Sequence, residues 1–428
     1  MSEIKKWDLA RSPELVQKCV SQEMRPGVPL PSGEVDLVKS GLIDSMGWVG
    51  VLTAIEEATG IQNFGSPWPA DRLQSIRSLV EAIHQSPVVR LNDVPTEKTE
   101  VRADSNHAVS IVGWGYALGS LPIDAAAIEA ECGLNSGTIR DRAGIESVRH
   151  VASQENELTL GQRAAQLALE SANLDADKAD LLVATSATFL NYPSLSASLH
   201  NRLLLRESCG ALDVGGACVG VIYALATAKA LLLASNRDFA LVVASEVNSR
   251  KLSSPHVPGE FRGLFGDGAC AFVLGRASAS NKNLRIGDFI WGCAGASATA
   301  LQVGIHNSGG VEVHFQGEQL SKAALAQLDR IFDGLETLSG RARSTVDYFA
   351  IHEPNPRLVH VFAHKAEIPL EKIAQLTKTC GNLGSATCGV SLCDALTKTQ
   401  VTRTAAHHPL IFVAAVGPGL LWGGTYVS

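Results

Sequence analysis

Residues 207–235 read ESCGALDVGGACVGVIYALATAKALLLAS. The run GALDV is short, carries apolar residues and is bounded by glycine, which predicts a strand. Gly215, Gly216 and Ala217 make a turn, and Gly220 to Ser235 is almost wholly apolar, which predicts a buried helix. Cys218 therefore stands where a strand turns into a helix. The first N–H groups of a helix lack intrahelical partners and favour an anion, so a thiol at this point is expected to have a lowered pKa and to act as a nucleophile. A cysteine among alanines and valines is otherwise a packed core thiol. The surrounding segments decide between the two.

On both sides of this stretch, apolar strand runs alternate with Ala-rich helices. The strands are predicted at AVSIVGWG, ADLLVATS, GALDV, FALVVAS, CAFVLGR, VDYFAIH and LIFVAAVG, and LTLGQRAAQLALESANL is a second convincing helix. This is an α/β pattern, with a first half over residues 108–276 and a second half rebuilt from similar parts over 277–428. Residues 85–107 are polar, contain proline and lack periodicity, which marks an interdomain linker. Residues 1–84 differ in character. SPELVQKCVSQE, MGWVGVLTAIEEATG and DRLQSIRSLVEAIHQ carry apolar residues at helical spacing, the last with Asp71 placed to cap its start, and they predict a small all-α bundle.

Composition narrows the function classes. A chain of 428 residues that is 46% hydrophobic and 18% charged suits a large core, and a net charge of -7 with scattered Lys and Arg gives no nucleic-acid footprint. The start MSEIKKWDLARSPE is charged where a secretory signal is apolar, and no uninterrupted apolar run approaches the ~20 residues of a membrane span, so a cytoplasmic protein without a membrane partner is expected. Nine cysteines without a CxxC pair read as reduced thiols, with neither a disulfide framework nor a metal site. GWGYALGS lacks the GxGxxG spacing and is read as strand and turn. Asp267 in LFGDGAC is read as a turn residue serving the backbone.

LVKSGLIDSMGWVGVLTAIEEATGI, residues 37–61, resembles the phosphopantetheine attachment region of acyl and peptidyl carrier proteins, in which Asp-Ser-Leu or Asp-Ser-Met opens the second helix. Asp44 and Ser45 match it. The resemblance implies a four-helix carrier bundle, a 4'-phosphopantetheine on Ser45 and a phosphopantetheinyl transferase as partner. The junction of loop and helix favours the resulting phosphodiester. By itself a DS dipeptide is a helix cap. The apolar Gly47-Trp48-Val49 departs from the carrier pattern.

Residues 108–428 resemble β-ketoacyl-acyl carrier protein synthase III and its relatives of the thiolase superfamily. The resemblance rests on IRDRAGIESVRH, ATSATFLNYPS, the Cys218 turn, GLFGDGACAFVLG, AIHEPNPRL, KTCGNLGSATCGVSL and VGPGLLWGG, in that order. It implies a thiolase-like fold of two duplicated αβ halves layered αβαβα, a catalytic set of Cys218, His352 and Asn382, and a homodimer in which Tyr192 reaches a neighbour's acyl pocket. It also implies carbon-carbon condensation of a Cys-bound acyl group with a thioester on a carrier protein or coenzyme A. His352 and Asn382 would stabilise the enolate oxygen. Arg357 and Lys365 match basic positions of the family's carrier-docking helix, although solvated surface charge is an equal reading.

Two departures bear on mechanism. Pro418 stands where the family has a glycine whose N–H joins the oxyanion hole, and proline has none; Gly419 or Gly417 is expected to take over. Thr138 and Ile139 stand where coenzyme-A-using members carry an adenine-stacking Trp, which favours carrier-borne acyl groups. An acyltransferase that moves the Cys218-bound acyl group to an oxygen or nitrogen nucleophile, with His352 as base, is the alternative.

Overall fold

The computed structural model describes residues 11–24, 27–59, 74–85, 108–235, 237–276, 284–402 and 409–428. They belong to two compact units, Met1–Arg102 with Gln316–Lys322, and Ala103–Phe315 with Ala323–Ser428. The expected linker after Gln85 and the expected cap Asp71 lie outside the described residues.

In the first unit, helices Ser12–Glu23, Ser45–Thr59 and Ile76–Gln85 form where the apolar spacing predicts them. Pro13 sits in the first turn, where its missing N–H leaves no bond unmade. Val16, Val20, Leu52, Ile55, Leu79 and Ile83 close one core around Trp48, which is fully buried. Burying each large aliphatic side chain contributes about 1.5–3 kcal/mol. The Trp48 departure from the carrier pattern thus fills the interior. Three helices of the expected four are among the described residues.

The second unit holds two mixed sheets of matching design. The first runs Gly210–Asp213, Leu181–Thr185, Phe239–Val247, Asp267–Arg276, Val109–Leu118, Leu284–Arg285, and the second runs Tyr348–Ile351, Ile411–Gly417, Leu421–Val427, Ile290–Cys293. In each, a parallel pair (Leu181 opposite Ala240, Ile351 opposite Ala414) is followed by two antiparallel pairings. This repeat of order and sense is the duplication that no sequence identity reveals. All seven predicted runs are strands, and the first sheet takes its sixth strand, Leu284–Arg285, from beyond the expected boundary at Arg276.

Helices Gly220–Ser235 and Ala386–Thr402 lie between the sheets, Glu157–Ala172 covers the outer face of the first, and residues 323–339 of helix Gly317–Ser339 together with Pro356–Lys365 cover the second. The layers are αβαβα. Gly113 and Gly115 serve this packing: a Cβ on Gly113 would lie 2.3 Å from the Ala168 carbonyl oxygen of the outer helix, so only a bare backbone permits the approach. Phe332 of the outermost helix packs its ring on Phe349, Phe362 and Phe412.

The middle helix is apolar and buried, as predicted. Ala217–Ser235 is 19 residues long with a mean hydropathy of 2.0, long and apolar enough by composition to cross a membrane. Here Val221, Ile222, Leu225 and Leu232 are buried in the unit's own core. Its one cation, Lys229, donates to the carbonyls of Ile286 and Gly287 and pairs with Asp288 at 3.3 Å.

Candidate active site

The polypeptide reaches Cys218 through strained backbone. After strand Gly210–Asp213, Ala217 takes φ 44°, and a single 3-10 turn, Ala217–Val219, leads into the buried helix. Positive φ at alanine is costly and persists only where the surroundings enforce it. Gly417, at the end of the central strand of the second sheet, comes so close that a Cβ on it would stand 3.0 Å from the Cys218 Cβ. The strand end and the nucleophile turn are therefore in direct contact.

The same strand positions His352. The His352 N–H donates to the Ala414 carbonyl at 2.8 Å, which extends the parallel pairing of Tyr348–Ile351 one residue past the strand end. The imidazole is 6% exposed, and its Nδ1 has no hydrogen-bond partner. Burial lowers its pKa to about 4, so the ring is neutral at pH 7. Asn355 then caps the next helix, its Oδ1 accepting from the Leu358 N–H at 2.9 Å.

Asn382 is held from both sides of the chain. Its N–H donates to the Leu264 carbonyl at 2.8 Å, and its carbonyl accepts from the Gly266 N–H at 3.0 Å. Its side-chain Oδ1 accepts from the Gly384 N–H at 2.9 Å and from the Thr387 hydroxyl at 3.1 Å. With the oxygen so engaged, the amide nitrogen is the end left to donate. Ser385, three residues on, lies against the nucleophile helix: a Cβ on Gly220 would be 3.3 Å from the Ser385 Cβ. The Cys218 turn, the strand that carries His352 and the Asn382 turn thus converge.

The electrostatics of Cys218 differ from the expectation. Burial first, and then the nearby Glu246 carboxylate, push its thiol up to about 12, against a single backbone hydrogen bond that lowers it. The raised pKa leaves the resting nucleophile as a thiol. Glu246 was not visible as a site residue, although an acid at the end of an apolar strand run is itself a signal. Glu353, beside His352, is also fully buried, and burial raises its carboxyl to about 7.

The remaining positions are placed as follows. Tyr192 is 96% exposed and Leu190 72% exposed, so within one chain neither lines the Cys218 pocket. Gly419 has φ 79°, and its carbonyl accepts the Cys293 thiol at 3.4 Å. Arg357 donates to the Asp141 carbonyl at 2.9 Å. Lys365 is largely buried and pairs with Asp329 at 3.0 Å, so its charge is engaged inside the domain and is not on display for docking. Asp267 accepts from the Val151 N–H, the Ser249 N–H and the Ser249 hydroxyl, a backbone-holding role. Ile139 is 2% exposed and offers no stacking surface. In the first unit Ser45 is the first residue of its helix, and Asp44 caps it by accepting from the Gly47 N–H at 2.8 Å.

Two family models match the second unit: 3-oxoacyl-[acyl-carrier-protein (ACP)] synthase III over residues 212–295, and the C-terminal model of the same synthase over residues 338–428. The β-ketoacyl-[acyl-carrier-protein] synthase III of Methylococcus capsulatus is 31% identical over 293 residues, 67% of this chain and 88% of the relative. That of Rhizobium meliloti is 30% identical over 318 residues, 73% of this chain and 96% of the relative. The crystal structure of the Aquifex aeolicus synthase III superimposes with a TM-score of 0.66 at 25% identity, covering 74% of this chain and 99% of that one. A priming β-ketosynthase of polyketide biosynthesis shares the fold, with a TM-score of 0.66 at 22% identity and covering 77% of this chain and 98% of that one. With Cys218, His352 and Asn382 standing on three converging segments of a duplicated αβαβα fold, the chain belongs to the 3-oxoacyl-[acyl-carrier-protein] synthase III family.

Proposed function

We propose that the chain condenses two acyl thioesters, with Cys218 as nucleophile and with His352 and Asn382 as the donors that stabilise the enolate. The observation that carries this reading is the Asn382 amide, whose oxygen is engaged by Gly384 and Thr387 so that its N–H groups remain to donate. Cys218 sulfur attacks the donor's acyl carbon, the bond to the donor sulfur breaks, and the Cys218 proton goes to the leaving thiol. The second thioester loses carbon dioxide or an α-proton, and its oxygen takes the charge. The carbon of that enolate attacks the acyl-Cys218 carbonyl, and Cys218 leaves as the product β-ketoacyl thioester forms.

A neutral His352 suits this role, since at pH 7 it holds one ring proton to donate and adds no positive charge to a dry pocket. Pro418 supplies no N–H, so the acyl oxygen relies on the Cys218 N–H and on a donor from Gly417 or Gly419. Wild-type chain given an acyl thioester and then a malonyl thioester is expected to release a β-ketoacyl product. Release of only the free acid would count against the reading.

Carrier function in the first unit is part of the same proposal. The exposed Asp44 and the start of a helix at Ser45 fit a phosphodiester, whose pantetheine thiol would carry acyl groups as thioesters. Treatment with coenzyme A and a broad-specificity phosphopantetheinyl transferase is expected to add about 340 Da, lost in Ser45→Ala. An unchanged mass would remove the carrier from the proposal. The buried Ile139 supports acyl donors on carrier proteins over coenzyme A. The exposed Tyr192 and Leu190 support a homodimer in which a second copy covers them.

A further inference from the structure

Glu246 is 0% exposed, at the end of strand Phe239–Val247 of the first sheet. Its carboxylate is surrounded by donors from two distant segments. From the loop after strand Leu181–Thr185 it accepts the Ala187 N–H at 2.9 and 3.0 Å, the Thr188 N–H at 3.0 Å and the Ser186 hydroxyl at 3.3 Å. From the turn after Asn382 it accepts the Ser385 hydroxyl at 2.5 Å and the Ser385 N–H at 3.3 Å. The Val247 N–H reciprocates, donating to the Thr188 hydroxyl at 2.9 Å. Gly384, at φ 59°, passes so near that a Cβ would stand 3.1 Å from the Glu246 Cγ.

We propose that Glu246 is a positioning residue of the condensation: one buried carboxylate that clamps the 186–188 loop to the Asn382 turn and holds a fixed negative charge beside Cys218. The three backbone N–H groups can only donate, which favours an ionised carboxylate, against burial, which raises its pKa. Gly384 and Ser385 are consecutive, and Gly384 orients the Asn382 amide. Loss of the clamp therefore reaches the enolate donor through one peptide link. The charge acts separately: Ser385, bonded to Glu246, lies against Gly220, two residues after Cys218. Besides Cys218, the titratable groups that sense it are Cys270 on the adjacent strand and Lys251, whose ammonium donates to the Ala187 carbonyl. A negative charge beside the thiol disfavours the thiolate, so Cys218 stays protonated until an acyl donor arrives.

The proposal rests on the condensation reading for its first half only, and Glu246→Gln tests the halves apart. Gln keeps the size, but its amide nitrogen meets backbone N–H groups that it is unable to accept. Condensation kcat is expected to fall at least about tenfold, with acylation of Cys218 retained. Iodoacetamide labelling at pH 8, mapped by peptide and read against the exposed Cys293 as internal reference, is expected to speed up at Cys218 by about tenfold as the neighbouring charge is lost. Glu246→Asp keeps the charge and shortens the reach, so its Cys218 labelling stays at the wild-type rate while kcat falls part of the way. Should Glu246→Gln fail to fold, Ser385→Ala removes the 2.5 Å contact alone and is expected to lower kcat while sparing acylation.

The labelling needs no substrate, so it reads the charge even if wild type forms no condensation product, the outcome that defeats the condensation reading instead. An unchanged ratio of Cys218 to Cys293 labelling in folded Glu246→Gln overturns the charge role. Wild-type kcat in Glu246→Gln, or in Ser385→Ala where that stands in for it, overturns the clamp.

Discussion

Exposed to an acyl thioester and examined by intact mass, the Cys218→Ala chain unmodified at Ser45 is expected to carry no acyl adduct, and product formation is expected to fall by about ten-thousandfold or more. No other described thiol is in a position to substitute. Cys270, Cys380, Cys388 and Cys393 are buried in the core of the unit, whereas Cys218 is partly exposed at its turn. Cys293 is exposed and Cys132 partly so, and slow chemical acylation at these two thiols is separated by peptide mapping. The fold should survive, because alanine fits the turn and leaves no buried polar atom unpaired. With Cys218 itself pushed up to about 12, thiolate is scarce at neutral pH, so wild-type acylation is expected to quicken steadily from pH 6 to 9 without a plateau. His352, lowered to about 4, stays neutral across that range and sets no inflection in it. A persistent adduct at full stoichiometry in Cys218→Ala would remove the nucleophile from the proposed mechanism.

That rise with pH is where sequence and structure part company. A helix N-terminus after Gly216 and Ala217 is legible in the chain, and on that feature alone Cys218 reads as an acidified thiol. The opposing influences come from elsewhere: burial of the thiol by the folded unit, and Glu246 at the end of another strand. Neither is local, so neither shows in the run around residue 218. The strands were legible because buried parallel runs such as LLVAT and FALVV are long in β-branched and aliphatic residues.

Strand Leu421–Val427 was not, since LWGGTYV looks like a turn. Its glycines are there for packing, a Cβ on Gly424 standing 2.5 Å from the Ile331 Cγ2. Lys365 likewise reads as surface charge until Asp329, brought near by the packing of another helix, is seen to hold it. The proposed trio was read from motif order, and the fold supplies what motifs lack: the register that sets His352 opposite Ala414 and the bonds that turn the Asn382 amide.

Asn382→Ala is the variant that separates the two chemistries open to an acyl-Cys218. If Asn382 serves the enolate, the variant should acylate Cys218 at close to the wild-type rate and then stall, with condensation depressed by about a hundredfold to a thousandfold, the usual cost of one oxyanion donor. Truncation also strands the buried Gly384 N–H, which costs about 1–3 kcal/mol, so the melting temperature is expected to drop as well. Asn382→Asp removes that ambiguity. An aspartate keeps an oxygen for Gly384 and Thr387 and so holds the turn, yet it offers the substrate an acceptor where a donor is needed. Condensation should be as poor as in the alanine variant, with most of the lost stability restored. Transfer to an oxygen or nitrogen nucleophile forms no enolate and makes a different demand, with His352 required as the base and Asn382 nearly dispensable. Full product release from acylated Asn382→Ala, paired with an inert His352→Ala, would therefore overturn condensation in favour of acyl transfer to a heteroatom.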